Sequence, residues 1–257
     1  EDHNVLGRLA QLSRRSGELD EARDYFNRGL ILAPSDVGLL VGLGNVEMGG
    51  GHSDQALERY EAAMATASTP EERTQVYSAL ESFSLAKGQV GKALEYQEAR
   101  LAEALTYQPA FNVAQFSLMG AGLYAEAGRE DEAFSRVTAA GTQLAPPFDG
   151  LIPLGEMQIY LALEDADAIE ATLPGVEAFI DALQYEVIRP AVVNARGQVH
   201  ELRGEYREAI QQYEEEQRLN PASSTINMKL GRCYRELGEL DQAVGHLEEA
   251  LKSSPFG

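Results

Sequence analysis

The side chains able to do chemistry are few and scattered. His3, His52, His200 and His246 lie far apart, and none forms a close helical pair with another histidine or with Cys233. Structural zinc needs nitrogen and sulfur ligands gathered into one tetrahedral set, so no metal site is expected. A single cysteine permits no intrachain disulfide. Set between Arg232 and Tyr234 in a helical pattern, Cys233 reads as a small buried hydrophobe. Gly42-Leu43-Gly44 and Gly49-Gly50-Gly51 have the composition of a phosphate loop, but no strand precedes them and no Gly-Lys-Ser/Thr follows. No nucleophile elbow occurs. Glu214-Glu215-Glu216 and Glu248-Glu249 would serve as general acids only if buried and perturbed; runs of glutamate are ordinarily a solvated helix face. No catalytic residue, metal or cofactor is therefore assigned, and the chain is not expected to be an enzyme. What remains is noncovalent recognition.

Composition narrows the partner. The net charge of -20 repels phosphate backbones and anionic lipid, so no nucleic acid is expected as a partner. No apolar run is long enough to cross a bilayer, so no membrane insertion is expected. The cations are mostly arginine, with lysine confined to Lys87, Lys92, Lys229 and Lys252. Excess carboxylate with scarce lysine fits a soluble bacterial protein either of a high-salt cytoplasm or of a GC-rich genome.

The elements that must position any binding residues follow from a period. Ala22, Ala56, Ala93, Ala133, Ala168, Ala209 and Ala243 are separated by 34, 37, 40, 35, 41 and 34 residues. Five residues before all but Ala168 stands a glycine: Gly17, Gly51, Gly88, Gly128, Gly204 and Gly238. A period near 34 denotes stacked helical hairpins, each able to bury its apolar face only against a neighbour. In the last repeat, Leu230, Gly231 and Tyr234 give the first helix its apolar face. Gly238 ends that helix in the left-handed region. Asp241 can cap the second helix, Ala243, Leu247 and Ala250 line its inner stripe, and Pro255 stops it.

This pattern resembles the tetratricopeptide repeat family. Leu9, Gly17, Ala22, Phe26 and Pro34 carry the resemblance in the first repeat, as do Leu43, Gly44, Gly51, Ala56, Tyr60 and Ala63 in the second. Gly197, Gly204, Ala209, Tyr213 and Pro221 carry it in the sixth. The middle repeats are degenerate: Gln97 and Val137 stand in the aromatic slot, and the fifth lacks the turn glycine. Pro174 is expected to shorten or kink its second helix. The resemblance implies an all-α fold, a right-handed superhelical solenoid of antiparallel helix pairs. The chain is expected to be one such solenoid, with repeats at about 3–36, 37–70, 74–109, 114–147, 149–183, 190–223 and 225–257, and a joint at 145–153. Leu240, Val244 and Leu251 on the last helix are expected to be covered by further chain or by a second copy.

In that family the first helix of each repeat, helix A, lines a concave groove. Projected onto this chain, the groove-facing set is Gln11, Arg14, Asn45, Met48, Ser78, Ser82, Gln115, Leu118, Met157, Tyr160, Asn194, Gln198, Lys229 and Arg232, with Asn4, Arg15 and Gln75 nearby. The set is almost free of acidic residues, amide-rich in the middle and basic at its ends. Asn and Gln can donate to and accept from a peptide backbone, so the expected partner is an extended or helical protein segment, acidic toward its ends. The lysine and asparagine set with which one subgroup clamps a C-terminal carboxylate is absent. A regulatory or sensor segment of a larger chain, or self-association through the C-terminal helix, are the alternatives.

Overall fold

A computed structural model describes residues 2–220 and 225–253. Among them fifteen α-helices and two short 3-10 turns form, with no strand. Through Pro109 the chain forms one compact unit, and Ala110–Ser253 forms a second. The first contains α1 (His3–Arg15), α2 (Leu19–Leu32), α3 (Val37–Gly49), α4 (Ser53–Thr66), α5 (Pro70–Ala86) and α6 (Val90–Ala104). The second contains α7 (Ala110–Met119), α8 (Ala121–Glu126), α9 (Glu130–Gly141), α10 (Ile152–Ala162), α11 (Ala166–Leu183), α12 (Arg189–Leu202), α13 (Tyr206–Leu219), α14 (Ile226–Glu236) and α15 (Leu240–Ser253). The helices pack as hairpins, with α7 and α8 together serving as one first helix. The candidate joint at 145–153 lies inside the second unit, where Phe148–Leu151 makes a 3-10 turn. Pro221 and Pro255 lie outside the described residues.

A single register governs the hairpins. The six turn glycines have φ between 67° and 80°, where a Cβ would be strained. Two residues later the second helix, helix B, begins. Five residues later comes a buried small residue: Ala22, Ala56, Ala93, Ala133 and Ala209 are fully buried and Ala243 nearly so. In the fifth repeat Glu164 takes the left-handed role, with φ 55°. Five residues on is Ile169, fully buried, while Ala168 is only half-buried. The sequence alignment on Ala168 was thus one residue early, because no glycine marked the turn.

Helix A also has a fixed contact. Seven residues before the turn, Gly44 and Gly197 face the rings of Tyr60 and Tyr213 on helix B. A Cβ on either glycine would come within 2.5 Å of a ring carbon. Both tyrosines are buried, at 2% and 0% exposure. Each contributes roughly 2–3 kcal/mol by leaving water. Between repeats the same device recurs, with Gly42 on α3 against Phe26 on α2.

Local chemistry sets the helix ends. Thr69 and Glu72 form a reciprocal capping box with Pro70 in the first turn, so α5 starts at Pro70. Pro174 does not shorten α11, which runs for 18 residues through it. The proline cannot donate to the Glu170 carbonyl, but both residues face solvent, where that acceptor can be hydrated.

Gly197→Ala is expected to lower stability by about 1–3 kcal/mol in urea unfolding, because the methyl must displace the Tyr213 ring. Gly245→Ala on α15, where an added Cβ meets nothing within 4 Å, is expected to be neutral or to stabilise by up to about 1 kcal/mol. Equal effects would contradict the contact. Cys233 is buried against α13, and burial, with Glu201 nearby, pushes its thiol up to about 12. Its reaction with an aromatic disulfide at mildly alkaline pH is expected to be slower than in denaturant by about a hundredfold or more. Equal rates would place it at the surface.

Candidate partner-binding surfaces

In the first unit α1, α3 and α5 lie side by side. They open onto a cavity of about 560 Å³ lined by Asn4, Arg8, Gln11, Arg15, Gly38 and Gln75. Arg14 turns along α1 toward the Gln11 side-chain oxygen, 3.4 Å away. Ser78 and Ser82 continue the exposed face of α5, the Ser82 hydroxyl donating to the Ser78 carbonyl at 3.0 Å. Asn45 accepts from the Tyr60 hydroxyl at 2.8 Å, so it holds the hairpin as well as facing outward. Met48 does not face the cavity. It is 7% exposed and packs in the core beside Val76 and Leu80.

In the second unit the predicted residues of α12 and α14 form a brace. The Asn194 amide donates to the Glu216 carboxylate, and the Lys229 ammonium donates to the Asn194 oxygen at 2.8 Å. Lys229 also lies over the Tyr213 ring, 5.3 Å from its centre. The Tyr213 hydroxyl donates to Glu201 at 2.7 Å, and Arg232 pairs with the same carboxylate at 2.9 Å. Burial holds Lys229 below the ordinary amine range, opposed by Glu216 and Glu201. Burial likewise lifts Glu216, opposed by Asn194 and Lys229. Lys229 does stand beside Asn194, a pairing the sequence reading missed, but Glu216 balances its charge. Gln198 donates to the Leu161 carbonyl at 2.9 Å, tying α12 to α10.

Two cavities open beside this brace. One, of about 640 Å³, is lined by Gln158, Leu161, Glu186, Asn194, Glu216 and Asn220. The other, of about 350 Å³, is apolar and lined by Leu118, Met119, Leu151, Leu154 and Tyr185, with Gln115 at its edge. Val187 borders both. The acidic lining of the first comes from helix B and from the connection before α12, which a projection of helix A alone leaves out.

Three further assignments need correction. Met157 is fully buried because it occupies the slot that Gly44 and Gly197 fill elsewhere, seven residues before the turn. Tyr160 stacks near Phe134 on α9, with centroids 5.5 Å apart. The partly exposed positions of α10 in this register are instead Gln158 and Leu161, one residue later. The signal was present in the sequence as Ile169, which fixes the register once Glu164 is accepted as the turn. Leu118 is 1% exposed and packs on Gly155 of α10, while its neighbour Met119 is exposed. Arg8 was missed altogether.

The histidines are held as structural partners. His52 lies 3.0 Å from Glu47, which also takes Arg23, and His246 stacks on Tyr234. Among the described residues no group of three potential metal ligands occurs.

Residues 176–257 match a sequence model described as tetratricopeptide repeat. Over 51 residues the chain is 41% identical to anaphase-promoting complex subunit 3 of Dictyostelium discoideum, a stretch covering 20% of this chain and 5% of that protein. The fold is similar to a tetratricopeptide repeat protein from Parabacteroides merdae, with a TM-score of 0.59, 14% identity, and coverage of 98% of this chain and 93% of the other. It is also similar to a Rap protein complexed with competence and sporulation factor, with a TM-score of 0.57, 12% identity, and coverage of 98% and 76%. With hairpins built on one turn register and one glycine-to-aromatic contact, the chain has the fold of a tetratricopeptide repeat protein, and its residues 176–257 match the model of that family.

Proposed function

We propose that the chain is a non-catalytic protein-interaction module whose helix-A faces hold an extended or helical segment of a partner. The observation that carries this reading is that the open cavities of each unit are rimmed by amides from helix A. They are Asn4, Gln11 and Gln75 in the first unit, and Gln115, Gln158 and Asn194 in the second. Amides can serve both the donors and the acceptors of a peptide backbone, and the exposed Met119 and Tyr185 add adaptable apolar contact. The Rap protein of similar fold was solved with competence and sporulation factor bound, which is consistent with this use of the fold.

A second reading rests on α15, where Leu240, Val244 and Leu251 are 62%, 54% and 65% exposed. That apolar stripe would let α15 pack on another helix, including one from a second copy. Sedimentation across a concentration series tests it. Association weakened by Leu251→Glu supports it, and a monomer throughout contradicts it.

The main proposal is tested by selecting displayed random peptides on the immobilised chain. Selected peptides are expected to lose about tenfold or more in affinity, roughly 1.4 kcal/mol, when Gln75→Trp fills the first cavity or Gln158→Trp fills the polar one. Glu58→Gln on the outer surface of α4 is expected to change nothing. Peptides indifferent to every cavity variant would contradict the proposal.

A further inference from the structure

The charges of α1 are unlike those of the rest of the chain. In a protein of net charge -20, arginine is normally matched to a carboxylate. Arg23 pairs with Glu47, Arg73 with Glu103, Arg100 with Glu81, Arg189 with Glu186 and Arg203 with Asp167. Among the described residues Arg8, Arg14, Arg15 and Arg59 alone have no carboxylate partner, and three of these lie on α1. The helix itself, from His3 to Arg15, contains no acidic residue.

Two of the three are aimed at one place. Arg8 and Arg15 both line the cavity of the first unit, with Gln11 between them and Asn4 one turn before. The spacing is seven residues, two helical turns, so both guanidinium groups leave one face of α1 about 10 Å apart along its axis. Asp36 is the one carboxylate lining the cavity among the described residues. It is already engaged, accepting the Leu39 amide at 2.8 Å as the cap of α3 and lying 3.9 Å from His3. Unneutralised guanidinium pairs beside exposed amides are what a carboxylate-bearing chain requires, because arginine binds carboxylates through two parallel hydrogen bonds.

We infer that the α1 cavity binds an acidic peptide segment, with carboxylates spaced to meet Arg8 and Arg15 and with Gln11 and Gln75 serving its backbone. The inference rests on the proposal that helix-A faces hold partner segments, and it names the chemistry of one such segment. The rest of the chain's negative charge acts weakly there, since about 8–10 Å of physiological salt solution screens exposed charges. A long nucleic-acid polyanion runs beyond that range and meets the acidic remainder, so a short peptide fits better.

The test uses the full chain and labelled probes followed by fluorescence anisotropy. The probes are an Ala-Glu peptide of about twelve residues, its isostere with Gln for Glu, and an oligouridylate of similar length. The acidic peptide is expected to bind about tenfold or more tightly than the isostere, a difference that shrinks as salt rises. Arg8→Gln with Arg15→Gln is expected to remove that advantage, while Arg59→Gln leaves it intact. Both residues of the double variant are exposed, and an unchanged circular dichroism spectrum verifies its fold. Equal binding of acidic and neutral peptides, no effect of the double variant, or preference for the oligouridylate would each overturn the inference. If display-selected peptides still bind the cavities in any of those cases, only the acidic assignment falls. If no selected peptide is sensitive to a cavity variant, the general proposal falls with it.

Discussion

The close approach of helix A to helix B is the constraint on which everything else depends. Gly44 under Tyr60 and Gly197 under Tyr213 leave no space for a Cβ. The rings fill the space between backbones, and the small residue five positions after the turn completes the crossing. With that distance fixed, the opposite side of helix A has to face outward. The position six residues before the turn emerges in every repeat but the fourth, as at Gln11, Ser82 and Gln158, while those ten and three before it are taken into the core at Val41, Leu118 and Leu154 and at Met48 and Ala125. Where such a position stays exposed, packing does not use it and its chemistry is free to vary.

Electrostatics acts on a second level. Part of the carboxylate excess is taken up in arginine pairs, several of which bridge helices, such as Arg73 with Glu103 and Arg203 with Asp167 and Glu170. Exposed pairs of this sort are individually worth about 0–1 kcal/mol, so their effect is chiefly to neutralise surface charge. Against that background a helix bearing arginines without carboxylates stands apart. The brace of Asn194, Lys229, Glu216 and Tyr213 shows the opposite case, in which a cation is enclosed by its own hairpins and contributes to order.

The fold was legible because its determinants are local. A glycine in the left-handed region, an alanine five residues on and an aromatic nine on can each be seen in a single repeat, as in Gly204, Ala209 and Tyr213. Legibility failed where one of these was replaced. Glu164 adopts the turn conformation without a glycine, so the fifth repeat was misplaced by one residue, and Met157 and Tyr160 were assigned to a surface that Gln158 and Leu161 occupy. The exposed polar residues of α1 and α5 were largely legible through the repeat positions that the family resemblance implies, with Arg8 falling outside them. The brace was not, because it depends on Lys229 of α14 reaching back to Asn194 of the preceding repeat. The apolar cavity was equally hidden. It is formed partly by Tyr185 and Val187, in a connection whose course no periodicity specifies.

The most direct measurement is a crystal structure of the chain with a display-selected peptide bound. The account predicts peptide density along helix A, against Arg8, Gln11 and Gln75 in the first unit or against Gln158 and Leu161 in the second. Density confined to helix-B surfaces, or to the outer face of α15, would contradict it.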